Sequence, residues 1–166
     1  MEEIKTQKVL KLESHDNYES EDYYVSNSNL EAYNAITQEI IGVMPYKDII
    51  LIQGKKSSGK SFLAKILSRI HNGKIISKLE DFFGSSVFIV DNAEKIPEID
   101  LFHIFNKSVD NNKKLVLFAN PKWKIKLKDL ESRINSIKTI HIKEPDDYLL
   151  EVIISKEFSK RSIEVS

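Results

Sequence analysis

The chain has 166 residues, 41% hydrophobic and 30% charged, which suits one core in one compact domain. Its 25 basic residues balance 25 acidic ones, so the basic excess that marks a dedicated polyanion binder is missing. With no cysteine, disulfides and thiolate metal sites are excluded, and His15, His71, His103 and His141 lack the i, i+4 pairing of a zinc helix. No apolar run approaches the roughly 20 residues that cross a bilayer, so no membrane segment is expected. The start "MEEIKTQKVL" is too charged for a secretory signal, and a cytoplasmic location is expected.

Residues 1–22 read as a mobile lead-in: "LESHDNYESEDYY" carries five acids and little apolar periodicity. Residues 23–166 read as the folded core. In "SNSNLEAYNAITQEIIGVMP", Ser28 and Glu31 have the spacing of a capping box, and Leu30, Tyr33, Ile36, Ile40 and Ile41 recur on one helical face before Gly42 and Pro45. "DIILIQ", residues 48–53, has the continuous apolar character of a strand buried on both faces. "KSFLAKILSRIHNG" predicts a helix with Phe62, Leu63, Ile66, Leu67 and Ile70 on one side, stopped by Asn72 and Gly73.

An alternation follows. "KIIS" and "VFIVD" read as strands, 97–109 as a helix, "KLVLFA" as a strand, "LKDLESRI" as a short helix, "IKTIHI" as a strand and 146–160 as a helix. Strands alternating with helices imply an α/β fold with a parallel sheet covered on both faces. The "KLEDFFGS" between the second and third strands is short for a parallel crossover, which usually takes about a dozen residues or more.

"GKKSSGKS" comprises Gly54, Lys55, Lys56, Ser57, Ser58, Gly59, Lys60 and Ser61, and satisfies the P-loop pattern GxxxxGK[ST]. Glycines let the backbone curl its N–H groups around phosphates, and the next helix adds its positive end. Lys60 would reach the β and γ phosphates of ADP or ATP, and Ser61 would offer its hydroxyl to Mg2+. Asp91 ends the strand "VFIVD" and is the candidate to orient the metal's water; otherwise it caps the following helix. Asn92 stands where a second acid would take a proton from attacking water, so intrinsic hydrolysis is expected to be weak or absent. Asn120 follows an apolar strand, at the sheet edge where open α/β folds bind ligands, and otherwise is a turn residue before Pro121. Arg133 could pair with Asp129 across one helical turn.

Together, the P-loop, "FIVDN", Asn120 and "LKDLESRI" resemble the AAA+ domain of the replication initiator DnaA, and more closely its small relatives, the Hda regulators. "DYYVSNSNLEAY" is similar to the segment leading into that family's P-loop, which implies that Tyr24 and Val25, with Phe62 after the P-loop, lie near the nucleotide. "WKIKLKDLESR" resembles the segment ending in box VII, so Arg133 matches an arginine finger acting in trans, Asn120 the sensor 1 position and Asn92 the second Walker B position. "KEPDDYLLEVIISKEFSKRSIEV" resembles the helix ending the α/β core, after which the family's helical lid and its sensor 2 arginine would follow.

The resemblance implies a P-loop AAA+ core with a five-stranded parallel sheet ordered 5-1-4-3-2. It further implies a regulator that binds nucleotide and the DNA polymerase sliding clamp, and promotes hydrolysis of ATP on DnaA, with self-association open. In "QKVLKL", Gln7, Leu10 and Leu12 match the family's clamp motif while Lys8 replaces its first leucine; a chance apolar run in a tail is the other reading. Lys113, Lys114, Lys122, Lys124, Lys126 and Lys128 surround Trp123, but Trp123, Ile125 and Leu127 alternate with lysines as a segment laid on the core would, and direct DNA binding is not expected. The alternatives are a degenerate AAA+ module with a structural role and a small P-loop phosphotransferase, the latter disfavoured by having only Arg69, Arg133 and Arg161 as arginines.

Overall fold

A computed structural model describes residues 23–160 apart from 39, 41 and 43. In chain order the elements are α1 (Leu30–Thr37), β1 (Ile49–Gln53), α2 (Lys60–Ile70), β2 (Lys74–Ile75), β3 (Val87–Val90), α3 (Glu98–Asp110), β4 (Lys114–Ala119), α4 (Lys128–Asn135), β5 (Lys138–His141) and α5 (Asp147–Lys160). The strands form one sheet ordered β2-β3-β4-β1-β5, every neighbouring pair parallel, which is the expected order.

The central strands alternate their side chains between two cores, as the two-residue period requires. Ile49 and Leu51 of β1, Phe88 and Val90 of β3, and Leu115 and Leu117 of β4 pack with Leu101, Ile104 and Phe105 of α3 and Leu130 and Ile134 of α4. Ile50, Ile52, Ile89, Val116 and Phe118 point the other way, onto Ala32 and Ile36 of α1 and Leu63, Ile66 and Leu67 of α2. Burial on both faces explains why these strands read as unbroken apolar runs.

Three local expectations are corrected. Ser28 and Glu31 form no capping box: Asn29 is the N-cap residue without a side-chain cap bond. Its Oδ1 accepts from the Ser26 amide at 2.8 Å, and the Ser28 hydroxyl meets that of Ser26 at 2.7 Å, so these polar groups are satisfied within the loop. Helix α1 ends at Thr37, before Ile40, which is nevertheless buried, while Leu30 is exposed. Gly42 serves a close chain approach, since a Cβ there would lie 2.6 Å from the Ile49 carbonyl. Ile70, the last residue of α2, is 49% exposed and not part of the buried stripe.

The short β2 to β3 crossover is real. It succeeds because a single 3-10 turn, Leu79–Asp81, replaces a helix, and Phe82 stacks on Phe88 with ring centroids 3.9 Å apart. Residues 121–127 lie over the α3 side of the sheet. Trp123, Ile125 and Leu127 pack on that core while Lys122, Lys124 and Lys126 are exposed. The Glu98 carboxylate anchors this segment, accepting from the amides of Lys126 at 3.0 Å and Leu127 at 2.6 Å.

Those amide bonds, Lys126 first, hold the Glu98 carboxyl below its usual range. A depressed carboxyl stabilises the fold above its unfolded value, about 4.3, and the contribution is lost as pH falls through the folded value. Trp123 is the only tryptophan and reports on the anchor. Glu98→Ala, which removes the acceptor, should shift Trp123 emission to the red at pH 7. Identical emission from variant and wild type between pH 7 and 4 would rule out the anchor.

Candidate functional site

The carboxyl ends of β1, β3 and β4 converge at one sheet edge, and each carries a polar residue the sequence singles out. From the end of β1, Gly54 extends the ladder by donating its amide to the Ala119 carbonyl at 3.1 Å. A Cβ at Gly54 would lie 2.3 Å from the Ser58 hydroxyl and 3.2 Å from the Ser58 and Ile142 Cβ atoms, so a side chain there would turn the hydroxyl away and crowd the loop against Ile142. Ser57 at φ +64 and Gly59 at φ +87 supply the left-handed turns that curl the chain into α2. The amino end of α2, with its unpaired amides and positive dipole end, thus opens directly from the loop.

Lys60 is only 7% exposed, and its Nζ donates to the carbonyls of Gly54 at 2.6 Å and Lys55 at 2.7 Å. An ammonium has three donors, so two bonds hold it across the loop and one remains for an anion. Burial lowers the Lys60 pKa, opposed by the negative charges of Glu94 and then Asp91. The exposed Lys55 pairs with Glu144, holding that carboxyl low by a hydrogen bond and by charge.

Asp91 follows β3 directly, and among the described residues its buried Oδ1 has no hydrogen-bond partner, nor has the buried Ser58 hydroxyl. Buried polar atoms without partners are uncommon, and here two of them belong to the P-loop and the acid after β3. An orphaned carboxylate oxygen and a loop hydroxyl are the oxygen donors a hydrated Mg2+ takes, so the residues present fit that ion, with Ser61 exposed at the first turn of α2. Asn92 has φ +58 and opens a 3-10 turn, Ala93–Lys95. Asn120 follows β4; its Oδ1 accepts from the Lys122 amide at 2.9 Å, and its own amide donates to Glu94 Oε2 at 3.3 Å.

Beside the P-loop lies a cavity of about 510 Å3 with apolar walls from Tyr23, Tyr24, Phe62, Ile142, Leu149 and Ile153, reaching Ser57, Ser58 and Gly59 at one end. Aromatic and aliphatic walls next to a phosphate loop suit a planar base. Of the three residues expected near the nucleotide, Tyr24 and Phe62 line this cavity, whereas Val25 is 37% exposed and does not. Tyr23 was not anticipated. Its ring stacks on Tyr33 at 5.9 Å and tilts against Phe62 at 5.3 Å, and a Cβ at Gly59 would lie 3.3 Å from it. The doublet "YY" was the only sequence signal. Lys55 and Lys56 are exposed at the loop's tip.

Arg133 is elsewhere. Its Nη1 donates to the Tyr46 hydroxyl at 3.0 Å, and its guanidinium lies 5.1 Å from the Phe102 ring centroid and 5.7 Å from that of Phe105. The ion pair with Asp129, the alternative reading of this arginine, is not formed. Tyr46 precedes β1, the P-loop follows it, and a five-residue strand spans about 16 Å. Helix α4 also packs on the face opposite α2. Gln7, Leu10 and Leu12 lie outside the described residues.

These features define an α/β core of P-loop type. In structural comparison, a DNA replication initiation factor superimposes with a TM-score of 0.73 at 17% identity, covering 90% of this chain and 56% of that one. DnaA from Aquifex aeolicus bound to AMPPCP gives 0.70 at 18% identity, over 92% of this chain and 57% of that one. DnaA bound to AMPPCP and single-stranded DNA gives 0.68 at 19% identity, with the same coverage. The chain thus has the α/β core fold of the DnaA AAA+ domain and spans little more than half the length of those proteins. No protein-family model matches the sequence, and no curated protein matches it. Among the described residues, no helix is long and apolar enough to cross a membrane.

Lys60→Ala should weaken ATP and ADP binding about 10- to 100-fold, the worth of one charge-assisted bond, in a fluorescent-nucleotide titration. Asp91→Asn should keep binding but lose its dependence on Mg2+. Unchanged affinity in the first variant, or unchanged Mg2+ dependence in the second, would overturn these roles.

Proposed function

We propose that the protein is an Hda-like regulator of replication initiation. It holds ADP or ATP with Mg2+ in its own P-loop and offers Arg133 to the nucleotide of a second AAA+ protein, DnaA, whose bound ATP is then hydrolysed. The DNA polymerase sliding clamp is the platform, engaged through Gln7, Leu10 and Leu12.

The observation that carries this reading is the separation of Arg133 from the chain's own phosphate loop. A guanidinium bonded to Tyr46, beyond the opposite end of β1 and on the opposite face from α2, cannot reach a phosphate at Lys60. If it serves phosphoryl transfer at all, it does so on another molecule. The Tyr46 bond and the Phe102 and Phe105 rings restrain its rotamers, so the cation is presented at low entropic cost. A guanidinium placed in trans stabilises charge on the transferring phosphoryl group and is worth about 10³ to 10⁵ in rate. The fold likeness to DnaA structures that hold AMPPCP supports the nucleotide part of the reading.

The test is hydrolysis of ATP preloaded on DnaA, with loaded clamp present. Wild-type chain should accelerate it, and Arg133→Ala should remove the acceleration while nucleotide binding by the chain stays unchanged. Equal acceleration by both proteins would sink the arginine-finger role, and no acceleration by wild type would sink the regulator reading.

A further inference from the structure

The residue after Asp91 is an amide that cannot accept a proton, yet the structure brings another carboxylate to the same edge. Asn92 is left-handed, and the 3-10 turn it opens is closed by the Lys95 amide donating to the Asn92 carbonyl at 2.9 Å. Ala93 is fully buried and pins the turn to the core. Glu94 then returns to the carboxyl edge, where its Oε2 accepts from the Asn120 backbone N–H at 3.3 Å. Asn120 follows β4, which lies between β3 and β1, so Glu94 stands between the ends of the strands carrying Asp91 and the P-loop. The charge of Glu94 acts on the Lys60 ammonium more strongly than that of Asp91 does. Its Oε1 makes no protein hydrogen bond among the described residues.

We propose that Glu94 is the general base of an intrinsic nucleoside triphosphatase activity at this P-loop. The proposal rests on the nucleotide-binding reading above. A water oxygen attacks the γ phosphorus of bound ATP while Glu94 Oε1 takes one of that water's protons. The new P–O bond forms as the bond from the γ phosphorus to the β,γ-bridging oxygen breaks, and that oxygen leaves with the bonding pair on ADP. The proton on Glu94 then passes to solvent, leaving ADP and inorganic phosphate. The Asn120 amide fixes Oε2 and so aims the other oxygen. Asn92 acts here as the left-handed residue that starts the turn, a conformation asparagine tolerates better than most residues.

A purely structural Glu94 would only hold the Asn120 amide, and glutamine separates the two roles because it keeps an accepting oxygen and loses the proton acceptor. The experiment measures single-turnover hydrolysis of γ-labelled ATP with Mg2+ by the full chain, with fluorescent-nucleotide affinity on the same preparations. Wild type should hydrolyse ATP, and Glu94→Gln should still bind it but, at saturating nucleotide, turn it over about 10²-fold more slowly. Glu94→Asp keeps the acid but withdraws it by one methylene; it should retain affinity and lose rate, and it serves if the glutamine variant does not fold. Wild-type rates in either variant, or a wild type that binds ATP without hydrolysing it, overturn the proposal. A wild type with no affinity for ATP overturns the nucleotide reading as well, and the affinity measurement tells that failure apart.

Discussion

Parallel pairing of β1 with β4, in register from Ile49 against Leu115 to Gln53 against Ala119, is the constraint on which the rest of the structure depends. Both strands are buried on both faces, so neither can slip by one residue without moving its whole apolar set to the wrong core. That register sets the end of β1 beside the end of β4, where the Gly54 amide continues the ladder onto Ala119. Once those ends are level, Gly54, Asn120 and, one strand further, Asp91 occupy one edge without any interaction among their side chains. The site is a consequence of strand direction, as in other open parallel sheets.

Electrostatics then hold the edge together. A nearly buried ammonium is costly unless its donors are occupied and opposite charge is near. Lys60 has both, in two loop carbonyls and in the charges of Glu94 and Asp91. The Asp91 Oδ1 and Ser58 hydroxyl find no hydrogen-bond partner among the described residues, which leaves the edge incompletely satisfied by them. The alternation that fills two cores also places α2 and α4 on opposite faces, separating Lys60 from Arg133.

The central strands "IILI", "VFIV" and "LVLF" were readable because strands buried on both faces are short continuous apolar runs, whereas their order in the sheet followed from the family resemblance alone. The P-loop was readable because its glycines answer a local steric demand, seen in the 2.3 Å approach to Ser58. Where tertiary contacts decide, the sequence was silent or misleading. The Ser28 and Glu31 spacing is a real local signal that lost to hydrogen bonds among Ser26, Ser28 and Asn29. Tyr23 reaches Gly59 of the P-loop at a separation of 36, and Arg133 meets Tyr46 at a separation of 87, neither of which periodicity can express. Sequence spacing carries no signal that Glu94 reaches the edge, since the residue next to Asp91 is Asn92. Only the left-handed Asn92 and the turn behind it carry a carboxylate from three residues on back to the edge.

The central claim is that the nucleotide binds at the carboxyl edge while Arg133 remains apart from it. Amide hydrogen exchange with and without ATP and Mg2+ reads both halves together. Slowed exchange is predicted at 54–63 and in the cavity walls at 23–24 and 149–153, with residues 128–135 unchanged. Exchange unaltered at 54–63, or protection centred on 128–135, would contradict the account.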